Sequence, residues 1–209
     1  MAEPPASHSI ATLYSTEVIA ARVDALACSI AACDLRAPLI VAVLKGSFVF
    51  VADLVRALHA QGLKPEIDFI FLASYGGKTT GGPVEILRDV ESDVEDRDVI
   101  IVDDILDSGR TLLFAKERLR RKGARTVLSC VLLDKKARRT EVVAADLAGF
   151  ECPDHFVVGY GMDLANRYRE LPYIGIIEPG ANGRGSFESR RGSNGRAGCR
   201  SRALQDATA

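Results

Sequence analysis

The sequence predicts an α/β protein built on a sheet with a parallel core flanked by helices. Two observations carry this. The continuous apolar runs Leu39-Ile-Val-Ala-Val-Leu44, Val99-Ile-Ile-Val102 and Thr126-Val-Leu-Ser-Cys-Val-Leu-Leu133 read as strands buried on both faces. Segments with apolar residues at helical spacing lie between them, and such alternation implies a parallel sheet with chemistry in the loops at its strand ends.

Taken in order, residues 1–12 are rich in Pro, Ala and Ser and are expected to be flexible. Ser15 or Thr16 caps a helix running through Val18, Ile19, Val23, Leu26 and Ile30. The strand at 39–44 ends at Lys45-Gly46-Ser47. A helix through Phe48, Val51, Leu54, Val55 and Leu58 follows and stops at Gly62. Ile67-Asp-Phe-Ile-Phe-Leu72 is the next strand. Residues 74–83 hold four glycines and one proline, which excludes regular structure and suggests a mobile lid. Val84-Glu-Ile-Leu87 reads as a returning strand, so the same segment also serves as a hairpin connection. The strand at 99–102 leads to a helix through Leu112, Leu113, Leu119 and Arg120, with Glu117 four before Arg121 and Gly123 as its stop. His155-Phe-Val-Val158 and Tyr173-Ile-Gly-Ile-Ile177 close the pattern as short strands.

The 209 residues suit one domain, placed at 13–179, with 47% hydrophobic and 26% charged residues. From Gly180 onward six arginines face Glu188 and Asp206, a net of +4 that leaves −5 for residues 1–179. That Gly/Ser/Arg-rich stretch, 180–209, is expected to be a disordered basic tail, having almost no aliphatic residues to bury. The acidic body argues against nucleic-acid binding, which needs clustered Lys and Arg. The five cysteines contain no Cys-x-x-Cys pair, so structural zinc and a disulfide framework are not expected. No signal peptide or membrane-length apolar run is evident, and a cytoplasmic location is expected.

The segment from Val99 to Leu112 is the most specific in the chain. Its apolar run meets Asp103 and Asp104 where the strand is expected to leave the sheet, the place where open parallel sheets bind ligands. Asp107-Ser108-Gly109-Arg110-Thr111 then supplies a loop and helix start whose N–H groups can hold a phosphate. Acids beside a phosphate cradle suit a sugar phosphate. A strand ending in two acids also occurs in nucleoside triphosphatases, but Gly77-Lys78-Thr79 has Leu72 where a P-loop needs its first glycine. A purely structural strand with an acidic helix cap would need fewer acids.

Val102-Asp-Asp-Ile-Leu-Asp-Ser-Gly-Arg-Thr-Leu112 resembles the phosphoribosyl-pyrophosphate (PRPP) signature of type I phosphoribosyltransferases. Leu44-Lys45-Gly46-Ser47 is similar to that family's pyrophosphate loop. Leu132-Leu133-Asp134-Lys135 and Phe156-Val157-Val158-Gly159-Tyr160-Gly161-Met162-Asp163 resemble the purine pocket of its hypoxanthine-guanine members, and Arg167-Tyr-Arg-Glu-Leu-Pro-Tyr173 follows as in bacterial ones. The likeness runs in one order over about residues 10–178.

The resemblance implies the type I fold, a parallel-core sheet with a small hood and a mobile loop. It implies transfer of a 5-phosphoribosyl group from PRPP to a 6-oxopurine, giving IMP or GMP and pyrophosphate, with Mg²⁺ as cofactor and a homodimer or homotetramer as the assembly. Ser108, Gly109, Arg110 and Thr111, with Asp107, would bind the 5′-phosphate. Asp103 and Asp104 would hold the ribose hydroxyls, directly or through metal, with Asp163 at a second metal. Lys45, Gly46 and Arg169 would face pyrophosphate. Asp107 matches the general base at purine N7, in preference to a mere helix cap. Lys135 would donate to purine O6, Phe156 would stack on the ring and the Val157 backbone would read its edge. Ser74 and Tyr75 match the start of the closing loop. Purine-salvage members often carry Glu-Asp at the acidic pair; the resemblance therefore leaves two routes for the shorter Asp103, direct ligation or a reach to ribose or metal through water. A regulator of the same fold that binds RNA, like the pyrimidine attenuation protein, is the alternative. It should carry a basic face on its body, whereas the arginine excess here lies in the tail.

Overall fold

The structure is a computed structural model and describes residues 9–74 and 84–178. These residues form two sheets, with strands and helices numbered in chain order. The larger contains β2 (Leu39–Leu44), β3 (Glu66–Ser74), β4 (Val84–Arg88), β5 (Asp98–Leu106), β6 (Thr126–Asp134) and β7 (Leu147–Glu151) in the order β4-β3-β2-β5-β6-β7. All neighbours run parallel except β3 and β4, which form an antiparallel edge. The smaller sheet is antiparallel, with β9 (Ile174–Glu178) between β1 (Ser9–Tyr14) and β8 (Val157–Val158). It is the hood implied by the resemblance.

The central strands carry no polar alternation because both of their faces are covered. Ile100 and Val102 of β5 pack into one core, with α1 (Thr16–Ala31) and α2 (Phe48–Ala60). Val99 and Ile101 face the other core, with α3 (Arg110–Arg121). Phe50, Leu54 and Leu58 are fully buried from α2, each contributing about 1.5–3 kcal/mol by leaving water. Ser15 caps α1, its hydroxyl accepting from the Val18 N–H at 3.4 Å. Past α2, Gly62 takes φ +83°, a conformation that glycine adopts without a Cβ penalty. Glu117 pairs with Arg121 at 2.9 Å, as their spacing predicts.

Four readings need correction. Residues 9–12, expected to be flexible, belong to β1 and pair with β9, from Ser9 opposite Glu178 to Thr12 opposite Gly175. Strand β7 is absent from the sequence reading because Leu-Ala-Gly-Phe-Glu is neither apolar throughout nor alternating. β5 does not leave the sheet at Asp103: it continues to Leu106, with Asp103 opposite Val131. Its pairing with β2 does end at Val102, so the acids begin where one neighbour is lost. The strand at 155–158 shrinks to two residues, since the His155 N–H turns back to Pro153 O at 2.7 Å. Tyr75, the rest of the expected lid to Pro83, and the tail 180–209 lie outside the described residues.

Candidate active site

The C-terminal ends of β2, β5 and β6 bring the predicted residues into three adjoining groups. The first surrounds a small cavity of about 60 Å³ lined by Asp103, Ile105, Leu106, Asp107, Ser108, Gly109, Thr111 and Leu112. β5 delivers Asp103, and the loop from Asp107 to Gly109 turns the chain into α3. Gly109 makes that turn at φ +91°, and a Cβ there would press on Val143 and on Arg139 Cδ. The opening turn of α3 has no acceptors of its own for its N–H groups, which suits an anion at the cavity. Ser108 already accepts the Arg110 N–H at 3.4 Å through its hydroxyl. The Arg110 guanidinium sits 3.4 Å from Glu141 and does not line the cavity, so its contribution is main-chain. Asp107 Oδ1 is buried and has no hydrogen-bond partner. A buried polar atom left unmatched costs stability, and a ligand that donates to it would relieve that cost.

The second group gathers around Asp104. Successive strand residues face opposite ways, so Asp104 turns from the cavity toward the loop after β2. There Gly46 packs so closely that a Cβ would overlap the Asp104 carboxylate. Behind it, Gly161 lies against Gly46 O with φ +99°. Arg169 donates to Gly161 O at 2.6 Å and pairs with Asp163 at 2.5 Å. Lys45 follows a cis Leu44–Lys45 peptide, is exposed, and places Nζ 5.4 Å from the centre of the Phe71 ring. Gly46 and the Arg169 charge thus bear on the Asp104 carboxylate, with Lys45 next to Gly46 in the same loop.

The third group holds the residues expected to form a base pocket. Lys135 is buried and donates to His155 O at 2.7 Å, directly beside Phe156. Phe156 leaves 54% of its surface exposed, and Val157 is buried. An exposed ring beside a buried ammonium suits a flat heterocycle that stacks on one and accepts from the other. The Lys135 N–H donates to Leu106 O at 3.0 Å, next to Asp107. Burial raises the Cys152 thiol pKa, the Lys135 charge lowers it and the Asp107 charge raises it further.

Burial, and then the neighbouring Asp104 charge, hold the Asp103 carboxyl well above the usual range. Burial also raises Asp104, against the pull of the Arg169 charge. A carboxyl raised by folding favours the folded state below the ordinary value of 3.8 and weakens it as pH climbs through the raised value. In chelator-treated protein, Asp103→Asn is therefore expected to raise the melting temperature at about pH 8, the gain shrinking toward about pH 5. Equal gains at both pH values would reject this account.

Asp163, expected at a second metal, lies apart from the acidic pair of β5 and has partners of its own. Its two carboxylate oxygens are taken by Arg169 and by the Asn166 N–H, at 2.5 and 2.6 Å. Among the described residues, no three acids, histidines or cysteines gather into a group that could hold an ion. Sequence reasoning also missed Arg139, whose guanidinium touches the Asp107 loop. It stands in Lys135-Lys-Ala-Arg-Arg139, which reads locally as a solvated basic run.

A family model described as Phosphoribosyl transferase domain matches residues 9–165, and the chain belongs to that family. It is 46% identical over 143 residues to the hypoxanthine-guanine phosphoribosyltransferase of Bacillus subtilis, covering 68% of this chain and 78% of that protein. It is 46% identical over 139 residues to the Escherichia coli hypoxanthine phosphoribosyltransferase, covering 66% of this chain and 76% of that one. Among solved structures, a Staphylococcus aureus hypoxanthine phosphoribosyltransferase superposes with a TM-score of 0.75 at 37% identity, over 80% of this chain and 91% of that one. A Bacillus anthracis hypoxanthine-guanine phosphoribosyltransferase gives 0.73 at 42%, over 80% and 98%. Within its family the chain thus groups with the hypoxanthine and hypoxanthine-guanine enzymes, which are transferases.

Proposed function

We propose that this chain serves purine salvage by transferring the 5-phosphoribosyl group of PRPP to hypoxanthine, and to guanine, releasing pyrophosphate and forming IMP or GMP. The observation that carries the reading is the buried, unpartnered Oδ1 of Asp107, set at a cavity whose other walls suit a sugar phosphate. Ser108, Gly109, Arg110 and Thr111 bind the 5′-phosphate through main-chain donors. Asp103 and Asp104 accept from the ribose hydroxyls and oppose the positive charge that grows on C1′ as its bond to pyrophosphate breaks. Lys45 and Arg169 take up charge on the departing pyrophosphate. Lys135 donates to the purine O6 while Phe156 covers one ring face. As N9 bonds to C1′, Asp107 accepts the proton from N7.

The acidic pair fits Mg²⁺, which keeps much of its water and takes one or two carboxylates together with substrate phosphates. Two carboxyls raised by burial, the first raised further by the charge of the second, are relieved by such a cation. Asp103 and Asp104 would hold it, and when bound it would neutralise charge on the pyrophosphate. A cytoplasmic setting and a homodimer or homotetramer complete the proposal. Sedimentation velocity measures the assembly, and a monomer would remove that part.

The deciding experiment is a steady-state assay with PRPP, Mg²⁺ and hypoxanthine, in which absence of IMP overturns the reading. Competition among hypoxanthine, guanine and xanthine then ranks the bases. Lys135→Met is expected to reduce kcat/KM for hypoxanthine by about 10–100-fold, the value of a hydrogen bond from a charged donor. A change below about twofold in the same assay would remove Lys135 from the base pocket.

A further inference from the structure

Arg139 makes four hydrogen bonds around the loop that carries Asp107. Its Nε donates to Asp107 O at 2.9 Å, one terminal nitrogen to Val143 O at 2.6 Å, and the other to Leu106 O at 3.2 Å and to the Asp134 carboxylate. Only 16% of the side chain is exposed. The next residues bear on the same loop. The Thr140 and Glu141 N–H groups each donate to Ser108 O at 3.0 Å, and the Thr140 hydroxyl adds a contact at 3.3 Å. Residues 139–143 therefore form a strap across residues 106–108.

The guanidinium could have capped the Asp107 carboxylate, whose Oδ1 is buried and unpartnered. Its donors instead go to three carbonyls and to Asp134. It thus grips the loop from behind and leaves the carboxylate free. It also ties that loop to the end of β6, where Lys135 follows Asp134 and donates its N–H to Leu106 O at 3.0 Å.

We propose that Arg139 is a positioning residue that fixes the Asp107 carboxylate at the distance and angle needed to take the purine proton. The assignment rests on the reading of Asp107 as proton acceptor. Only a planar fork of donors satisfies these acceptors together; a lysine ammonium at the same place supplies one point charge.

A double-mutant cycle tests it, with Arg139→Lys, Asp107→Asn and the double variant assayed for hypoxanthine turnover, PRPP binding by calorimetry, and thermal melting. Arg139→Lys is expected to lower kcat on the order of 10²-fold, as for a reacting group displaced by about 1 Å, with PRPP affinity within about threefold. In the Asp107→Asn background the same change is expected to cost almost nothing, because the group it positions is already gone. Added guanidinium ion is expected to restore part of the turnover of Arg139→Ala but none of Asp107→Asn. Should Arg139→Ala unfold, the lysine variant, which keeps charge and stem, carries the cycle alone. Additive losses, unchanged turnover in Arg139→Lys, or a loss confined to PRPP binding would overturn the assignment. A wild-type protein that forms no IMP would instead defeat the functional reading itself.

Discussion

Asp107→Asn is expected to lower hypoxanthine turnover by about 10²–10⁴-fold while PRPP binding stays within a few fold. The two side chains have nearly the same shape, so the loop at 107–109 and the start of α3 should keep their geometry. What is lost is the capacity to take a proton as N9 bonds to C1′. Stability should not fall. Asp107 Oδ1 is already buried without a donor, and an amide there removes a desolvated charge rather than a hydrogen bond. The melting temperature is therefore expected to hold or rise. Rapid-quench measurement of IMP formation gives the chemical step, and calorimetry with PRPP gives the binding. Unchanged turnover would reject the general-base role and leave Asp107 as part of the loop's architecture.

The elements that were legible in the sequence are those whose residues alone decide their environment. β2, β5 and β6 have unbroken apolar cores because they lie inside the sheet, and α1, α2 and α3 announce themselves by spacing and by their stops. β1 and β7 were hidden because distant partners define them. β1 buries none of its residues fully and exists through its pairing with β9, far along the chain. In β7, Gly149 sits so close to Leu132 O that a Cβ would overlap it, so the residue least suggestive of a strand is the one the packing requires. The acids, the phosphate loop and Lys135 could be named from their motifs, since their chemistry is local. Arg139 could not, because its function comes from carbonyls at 106, 107 and 143, which no side-chain pattern displays. Asp163 shows the opposite case. Its motif match was clear, but the turn that follows supplies Arg169 and the Asn166 N–H as its partners.

Gly46, in the loop after β2, and Gly161 are neighbours, and their alanine variants are expected to fail in different ways. Gly46 shows no positive φ, so the backbone accepts alanine, but the new Cβ would overlap Asp104 Oδ2. The Asp104 carboxylate is the end of a side chain and can turn aside. Gly46→Ala should therefore fold with a melting temperature near that of the wild type and lose activity, because the displaced carboxylate no longer meets the ribose or a bound cation. Reduced affinity for PRPP, by about 10–100-fold, is the expected signature, as for a lost charged contact. Gly161 sits at φ +99°, and its Cβ would strike Gly46 O, a backbone atom with no rotamer to escape through. Arg169 further pins that turn by donating to Gly161 O at 2.6 Å. Gly161→Ala is accordingly expected to destabilise the fold by about 2–4 kcal/mol, combining backbone strain with steric overlap. Denaturant unfolding of both variants, run beside PRPP calorimetry, separates the two. If Gly46→Ala proves the less stable, or if Gly161→Ala unfolds like the wild type, the close packing of these two glycines does not govern the loop.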